Sequence, residues 1–195
     1  MLWRDGTQAW PPGAQLGGHM EKDYLDLARR RFSVRRFDQR PVEDEKLDKV
    51  LEAGRIAPSA CNFQPIVVYV VQSPESLARL RQATRMAFDA PVVLAVCCDL
   101  SRVYHNRHET LYEDYTTREM DASIACDQMM MEATDLGLGT LWARGYDTRA
   151  VAEALGTPDG VVPVCLLDLG YPAEGVEPSH HHGDRRPLDQ MVVRI

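Results

Sequence analysis

Ala57-Pro-Ser-Ala-Cys-Asn-Phe-Gln-Pro65, running straight into Ile66-Val-Val-Tyr-Val-Val71, is the stretch on which the fold turns. Its second half is continuous and β-branched, the pattern of a strand covered on both faces. Its first half is a loop bracketed by prolines and carrying Ser59, Asn62 and Gln64. Such a loop is either a plain turn or a way to present N–H groups and side-chain amides to a polar heterocycle. Upstream, Leu47, Val50, Leu51, Gly54 and Ala57 follow helical spacing, so 43–56 reads as an amphipathic helix stopped by Pro58.

Downstream, Ser73-Pro74 places a cap and a first-turn proline ahead of a short helix to about residue 83. Pro91 to Cys98 is a second buried strand. Ser101 to Tyr115 is charged and aromatic, a surface helix or a lid. Thr116-x-x-Glu119 reads as a capping box opening a helix to about Leu136. Its Met120, Ile124, Ala125, Met129, Met131, Ala133 and Leu136 spread over several faces, which buries the helix in the core or in a subunit interface. Gly139 to Trp142 is a short strand, Asp147 caps a helix that Gly156 ends, and Val161 to Leu169 is a third strong strand. At the front, a helix is expected from Glu21 to about Arg31. Residues 1–19 are Gly- and Pro-rich and read as a flexible arm, leaving 20–195 as one domain. Strands neither alternate strictly with helices nor pair as tight hairpins, so the class is α+β.

Composition removes several functions. With 45% hydrophobic and 26% charged residues in 195, the chain is an ordinary globular domain that needs no disulfide or metal to fold. Its 22 Lys+Arg against 29 Asp+Glu give −7, without the basic stripe of a nucleic-acid binder. The longest apolar runs fall far short of the ~20 residues that span a membrane. Five cysteines form no C-x-x-C pair, and Cys97, Cys98 and Cys165 lie in apolar runs as small hydrophobes. An odd count without a signal-peptide pattern points to the cytoplasm.

Phosphate-loop and Rossmann fingerprints are missing, since Gly137-Leu-Gly139 follows a helix and lacks a third glycine. His105-x-x-His108-Glu109 and His180-His181-His182 have no surrounding ligand frame, so no metal is expected and both read as solvated loops. In Arg31-Phe-Ser33-Val-Arg35-Arg36-Phe37, an extended backbone projects Arg31, Ser33 and Arg35 to one side. Two guanidinium forks and a hydroxyl there either cradle one phosphate or form a solvated basic stretch.

Four segments in order resemble the nitroreductase family of FMN-dependent oxidoreductases. Arg31 to Phe37 is similar to its Arg-x-Ser-x-Arg opening, and Ala57 to Pro65 to its Pro-Ser-x-x-Asn-x-Gln-Pro loop. Leu136 to Asp147 is similar to its Leu-Gly-x-Gly-x-x-Trp segment, and Leu169 to Ala173 to its late-strand ending. The resemblance covers about residues 21–192 and implies a homodimeric α/β/α sandwich around a mostly antiparallel sheet. It implies that Arg31, Ser33 and Arg35 hold the FMN ribityl-phosphate, with Phe32 among them where relatives often carry a polar or basic residue. One or both of Arg185 and Arg186 join from the tail. Pro58, Ser59, Ala60, Asn62 and Gln64 reach FMN from the partner subunit. Trp142, Ala143, Arg144 and Gly145 line its ring, with the Arg144 and Gly145 N–H groups near N5 and O4. Helix 117–136 is then the dimer helix.

No side chain is assigned acid–base chemistry, because the cofactor carries the reaction. The resemblance implies ping-pong hydride transfer from NADH or NADPH to nitroaromatics, quinones or related small electron-poor acceptors. Two alternatives stand beside it: a specialised relative that dehalogenates or fragments flavin, and a non-catalytic flavin carrier or sensor. Cys61, beside the flavin loop, is read as a small packing residue.

Overall fold

The computed structural model describes residues 23–195, so the arm expected at 1–19 and the start expected at Glu21 lie outside the described residues. Nine regular elements follow: α1 (Tyr24–Arg30), α2 (Asp44–Arg55), β1 (Ile66–Val71), α3 (Pro74–Ala83), β2 (Val92–Asp99), α4 (Arg118–Asp135), β3 (Gly139–Ala143), α5 (Thr148–Leu155) and β4 (Val161–Gly170). The strands form one sheet in the order β1-β2-β4-β3, each pair antiparallel. Among the described helices none is long and apolar enough to cross a membrane.

Alternation along β2 explains why every position from Val92 to Cys98 is apolar. Val92, Leu94, Val96 and Cys98 face a layer built from Leu47 and Val50 of α2 and Ala122, Cys126 and Met129 of α4. Val93, Ala95 and Cys97 face Leu77 and Leu80 of α3 and Val151 of α5. A strand between two helical layers has no polar side, and the result is the expected α/β/α sandwich. The helices of one layer touch closely at Gly54, where a Cβ would sit 2.8 Å from Cγ of Met129.

Local signals are realised where they were read. Ser73 accepts the Ser76 N–H at 3.1 Å with Pro74 in the first turn of α3. Asp147 accepts the Ala150 N–H at 2.8 Å, and Gly156 ends α5 with φ 67°. Three expectations are corrected. β1 is an edge strand with Val67 and Val70 more than a third exposed, not a strand covered on both faces. Residues 101–115 form no α-helix. A 3-10 turn (Leu100–Arg102) leads into an excursion closed by a bridge between His105 and Thr116. Side chains there satisfy the backbone locally, with Asn106 accepting from the His108 N–H and Glu109 from the Leu111 N–H, and such bonds compete with helix. The capping box at Thr116 and Glu119 is absent. Thr117 stands at the N-cap position with its hydroxyl donated to Asp121, and Glu119 pairs with Arg118.

One buried residue runs against the core. Asp168 on β4, flanked by Val93 and Leu141, is fully buried, and neither carboxylate oxygen has a hydrogen-bond partner among the described residues. Burial pushes its carboxyl up to about 8, with the positive charge of Arg81 opposing.

Candidate functional site

The Arg-rich opening lies along the β3 edge of the sheet. Ser33 forms a parallel bridge with Thr140, and the Val34 N–H donates to the Thr140 carbonyl at 2.9 Å. The chain then reaches the end of β4, where the Asp38 N–H donates to the Tyr171 carbonyl at 2.8 Å. Val34 is fully buried, and the half-buried Phe32 meets the His182 ring edge-on at 6.3 Å. Arg31, Ser33 and Arg35 occupy the alternate positions. Close approach of Val34 to β3 requires Gly139, since a Cβ there would lie 2.6 Å from the valine methyl.

The tail comes back to the same place. The His182 Nε2 lies 2.9 Å from the Arg29 carbonyl, and Ser179 and Glu177 join Ser33, Arg35 and Arg36 around a groove of about 270 Å³. Among the described residues the guanidinium groups of Arg31, Arg35 and Arg36 make no hydrogen bond or ion pair with protein. Arg185 donates to the carbonyls of Asp184 and His181, whereas Arg186 has no such partner among the described residues.

From β3 the chain leaves the sheet through Trp142 and Ala143, with Trp142 half exposed and Ala143 buried. The Arg144 side chain turns aside, donating to the Thr148 hydroxyl at 3.1 Å with its guanidinium carbon 4.8 Å from the Tyr146 ring centre. The Tyr146 N–H donates to the Arg144 carbonyl at 2.8 Å and tightens the turn. The N–H groups of Arg144 and Gly145 have no acceptor among the described residues. Two such adjacent donors suit an electron-rich edge. Burial pushes the nearby Cys97 thiol up to about 12, far from a reactive thiolate, whereas Cys165, hydrogen-bonded with Cys126 and Trp142, is held below the ordinary thiol value.

The proline-bracketed loop is held in an unusual shape. Pro58 leads into Ser59 and a 3-10 turn (Ala60–Asn62), and Cys61, Asn62 and Gln64 all have positive φ, 49°, 56° and 50°. Three non-glycine residues in the left-handed region cost of order 1–3 kcal/mol each, so neighbours must impose the conformation. Ser59 Oγ accepts the Gln64 N–H at 2.9 Å. The Ala60 N–H donates to one oxygen of Asp121 at 3.0 Å, and the Thr117 hydroxyl to the other at 2.8 Å. Asn62 and Gln64 are exposed; Gln64 Nε2 donates to the Asn62 carbonyl at 3.4 Å, and the Asn62 amide and the Gln64 amide oxygen are left to solvent or ligand. Cys61 is also exposed, so it is not the packing residue expected.

Asp121 and Thr117 were missed by the sequence reading. The available signal was an acidic residue in helical phase with Ala122 and Ala125, on the side of α4 that is buried. Its meaning depends on a loop 61 residues away.

The two parts of the site stand toward opposite edges of the sheet. The loop at 58–64 leads into β1, whereas the Arg31–Arg35 segment bridges to β3 at Ser33 and residues 142–145 end and follow β3, the opposite edge of a four-stranded sheet. Three strand spacings of about 4.8 Å separate the two edge strands by about 14 Å. Beside the loop, α4 exposes Met120 and Ile124. Ile124, Tyr24, Ile56 and Met131 line a further groove of about 620 Å³ between α1, α2 and α4.

Comparison with known proteins gives a consistent result. The model of the family described as "Nitroreductase family" matches residues 28–89 and 83–171. The chain is 33% identical over 182 residues to a Methanothermobacter thermautotrophicus protein named as a candidate NADH dehydrogenase/NAD(P)H nitroreductase, covering 89% of this chain and 90% of that one. It is 32% identical over 156 residues to the Bacillus subtilis protein named FMN reductase [NAD(P)H], covering 73% and 63%. The crystal structure of a family protein from Clostridium difficile 630 superimposes with a TM-score of 0.80 at 34% identity, covering 88% and 98%.

Proposed function

The chain belongs to the nitroreductase family, and from that premise we propose that two copies hold FMN between them and pass electrons from NAD(P)H to nitroaromatics, quinones or related electron-poor acceptors. It is an NAD(P)H-dependent flavin oxidoreductase. One observation carries the finer reading: the free arginines and the amide loop stand toward opposite edges of one sheet, so a second copy of the chain can set its amide loop against the arginines of the first.

The residues fit the group. Arg31, Ser33 and Arg35, with Arg186 from the tail, supply cationic forks and a hydroxyl for a phosphate. The unpaired N–H groups of Arg144 and Gly145 suit a ring edge that gains negative charge on reduction. Asn62 and Gln64 of the partner copy offer amide donors and acceptors, and Pro58, Ser59 and Ala60 shape the wall behind them. Bound there, FMN would supply hydride transfer between NADH or NADPH and the acceptor. The chain's part is to bind, to orient and to stabilise charge, which is why no acid–base pair is called for.

The purified protein is expected to be yellow, dimeric and loaded with one FMN per subunit, and to oxidise NAD(P)H with a quinone in parallel-line kinetics. A colourless protein that refuses added FMN removes the proposal. Arg35→Ala should weaken FMN by about 10- to 150-fold, from loss of about 1.5–3 kcal/mol of charged hydrogen bonding. Riboflavin, which lacks the phosphate, should be affected much less. Titration with both flavins is the check, and equal losses would place Arg35 elsewhere.

A further inference from the structure

Asp121 is nearly fully buried, 3% exposed, and its side-chain hydrogen bonds go to Ala60 and Thr117. Both its oxygens are committed, one to the Ala60 N–H and the other to the Thr117 hydroxyl. Ser59, on the other side of Ala60, spends its own oxygen on the Gln64 N–H. Gln64 Nε2 adds a longer bond to the Asn62 carbonyl at 3.4 Å, and the Phe63 ring meets Tyr104 edge-on at 6.2 Å, but among the described residues only the Asp121 side chain hydrogen-bonds the backbone of 59–64 from another element. The three left-handed residues that follow, Cys61, Asn62 and Gln64, fall back to ordinary backbone when nothing imposes the turn.

We infer that Asp121 is the positioning residue of the flavin loop: its carboxylate, fixed by Thr117, pins the Ala60 N–H and so aims the amides of Asn62 and Gln64. This rests on the FMN reading above and adds a residue to it. The same side chain joins the loop to the first turn of α4, whose next outward positions are Met120 and Ile124. The loop's shape is thereby fixed to the helix that carries the exposed apolar surface. What matters in this arrangement is an acceptor at one atom and a partner for the Thr117 hydroxyl at the other. Asparagine can supply both, because its amide oxygen accepts from Ala60 and its NH₂ donates to the threonine oxygen.

The test compares Asp121→Ala, Asp121→Asn and Ala60→Pro in the full chain by titration with FMN and with riboflavin. Ala60→Pro removes the same hydrogen bond from the loop side without touching α4. Ser59 is already extended at φ −133° and ψ 158°, the conformation a following proline requires. Asp121→Ala is expected to weaken both flavins by the same factor, about 10-fold, the cost of one unsatisfied buried donor. Ala60→Pro should do likewise, and the double variant should be no worse than either, as for two halves of one bond. Asp121→Asn should restore both affinities. Wild-type affinity in Asp121→Ala, a loss confined to FMN, or an asparagine variant as weak as alanine overturns the inference while leaving the FMN reading intact. A wild-type chain that binds neither flavin removes that reading itself. Should Asp121→Ala fail to fold, Ala60→Pro carries the comparison, and unchanged affinity there is equally decisive.

Discussion

Ile124→Asp is expected to give a folded monomer without flavin. In the single chain Ile124 is 39% exposed on the outer face of α4, so a carboxylate there meets water and costs the fold little. Between two copies it becomes an unpaired charge in a desolvated interface, at about 3–5 kcal/mol, or more than about 100-fold in association. Because the amide loop and the arginines lie on opposite edges of one sheet, a monomer has only half of the proposed site. Subunit dissociation and flavin release should therefore coincide. Sedimentation with simultaneous absorbance at protein and flavin wavelengths reads both. A flavin-loaded dimer of Ile124→Asp would move the interface off this helix, and a flavin-loaded monomer would end the shared-site reading.

A second large effect concerns Asp168. Its carboxyl is pushed up to about 8 by burial from an ordinary value of 3.8, so the folded chain keeps a proton that the unfolded chain gives up. Stability from this group is complete below about pH 4 and is lost as pH rises, at about 1.4 kcal/mol per unit, until the folded carboxyl ionises near 8. Above that the loss levels off. Asp168→Asn removes the titration while keeping the shape. Its urea-unfolding free energy, minus that of the parent, should rise by several kcal/mol between pH 5 and 8. A constant difference across that range would show that Asp168 is ionised and satisfied in the fold. The fold bears this liability at the centre of β4, with Val93 and Leu141 as cross-strand neighbours.

Much of the architecture is local and could be read residue by residue. Ser73 with Pro74, and Asp147 with Gly156, start and stop helices through bonds within a turn. The unbroken apolar run of β2 announces a strand between two layers, and the spacing in α2 announces its buried face. The four motifs were legible as a set because each is a short continuous segment. Expectations failed where a distant partner decided. Thr116 and Glu119 have the spacing of a capping box, but Thr117 gives its hydroxyl to Asp121, and Asp121 answers to a loop 61 residues earlier. At 101–115, side-chain bonds to the backbone hold an irregular excursion and no α-helix.

By itself, then, the sequence determined element types, most helix ends, the sandwich class and the family, since those rest on contacts within a few positions and on ordered motifs. Tertiary structure alone decided that β1 is an edge, that Ser33 and Val34 lie against β3, and that the proline-bracketed loop stands toward the far edge of the sheet. It also decided that Asp121 holds that loop. Strand order and buried polar pairing depend on which distant segments meet when apolar surface leaves water, and one-dimensional spacing carries no record of those meetings.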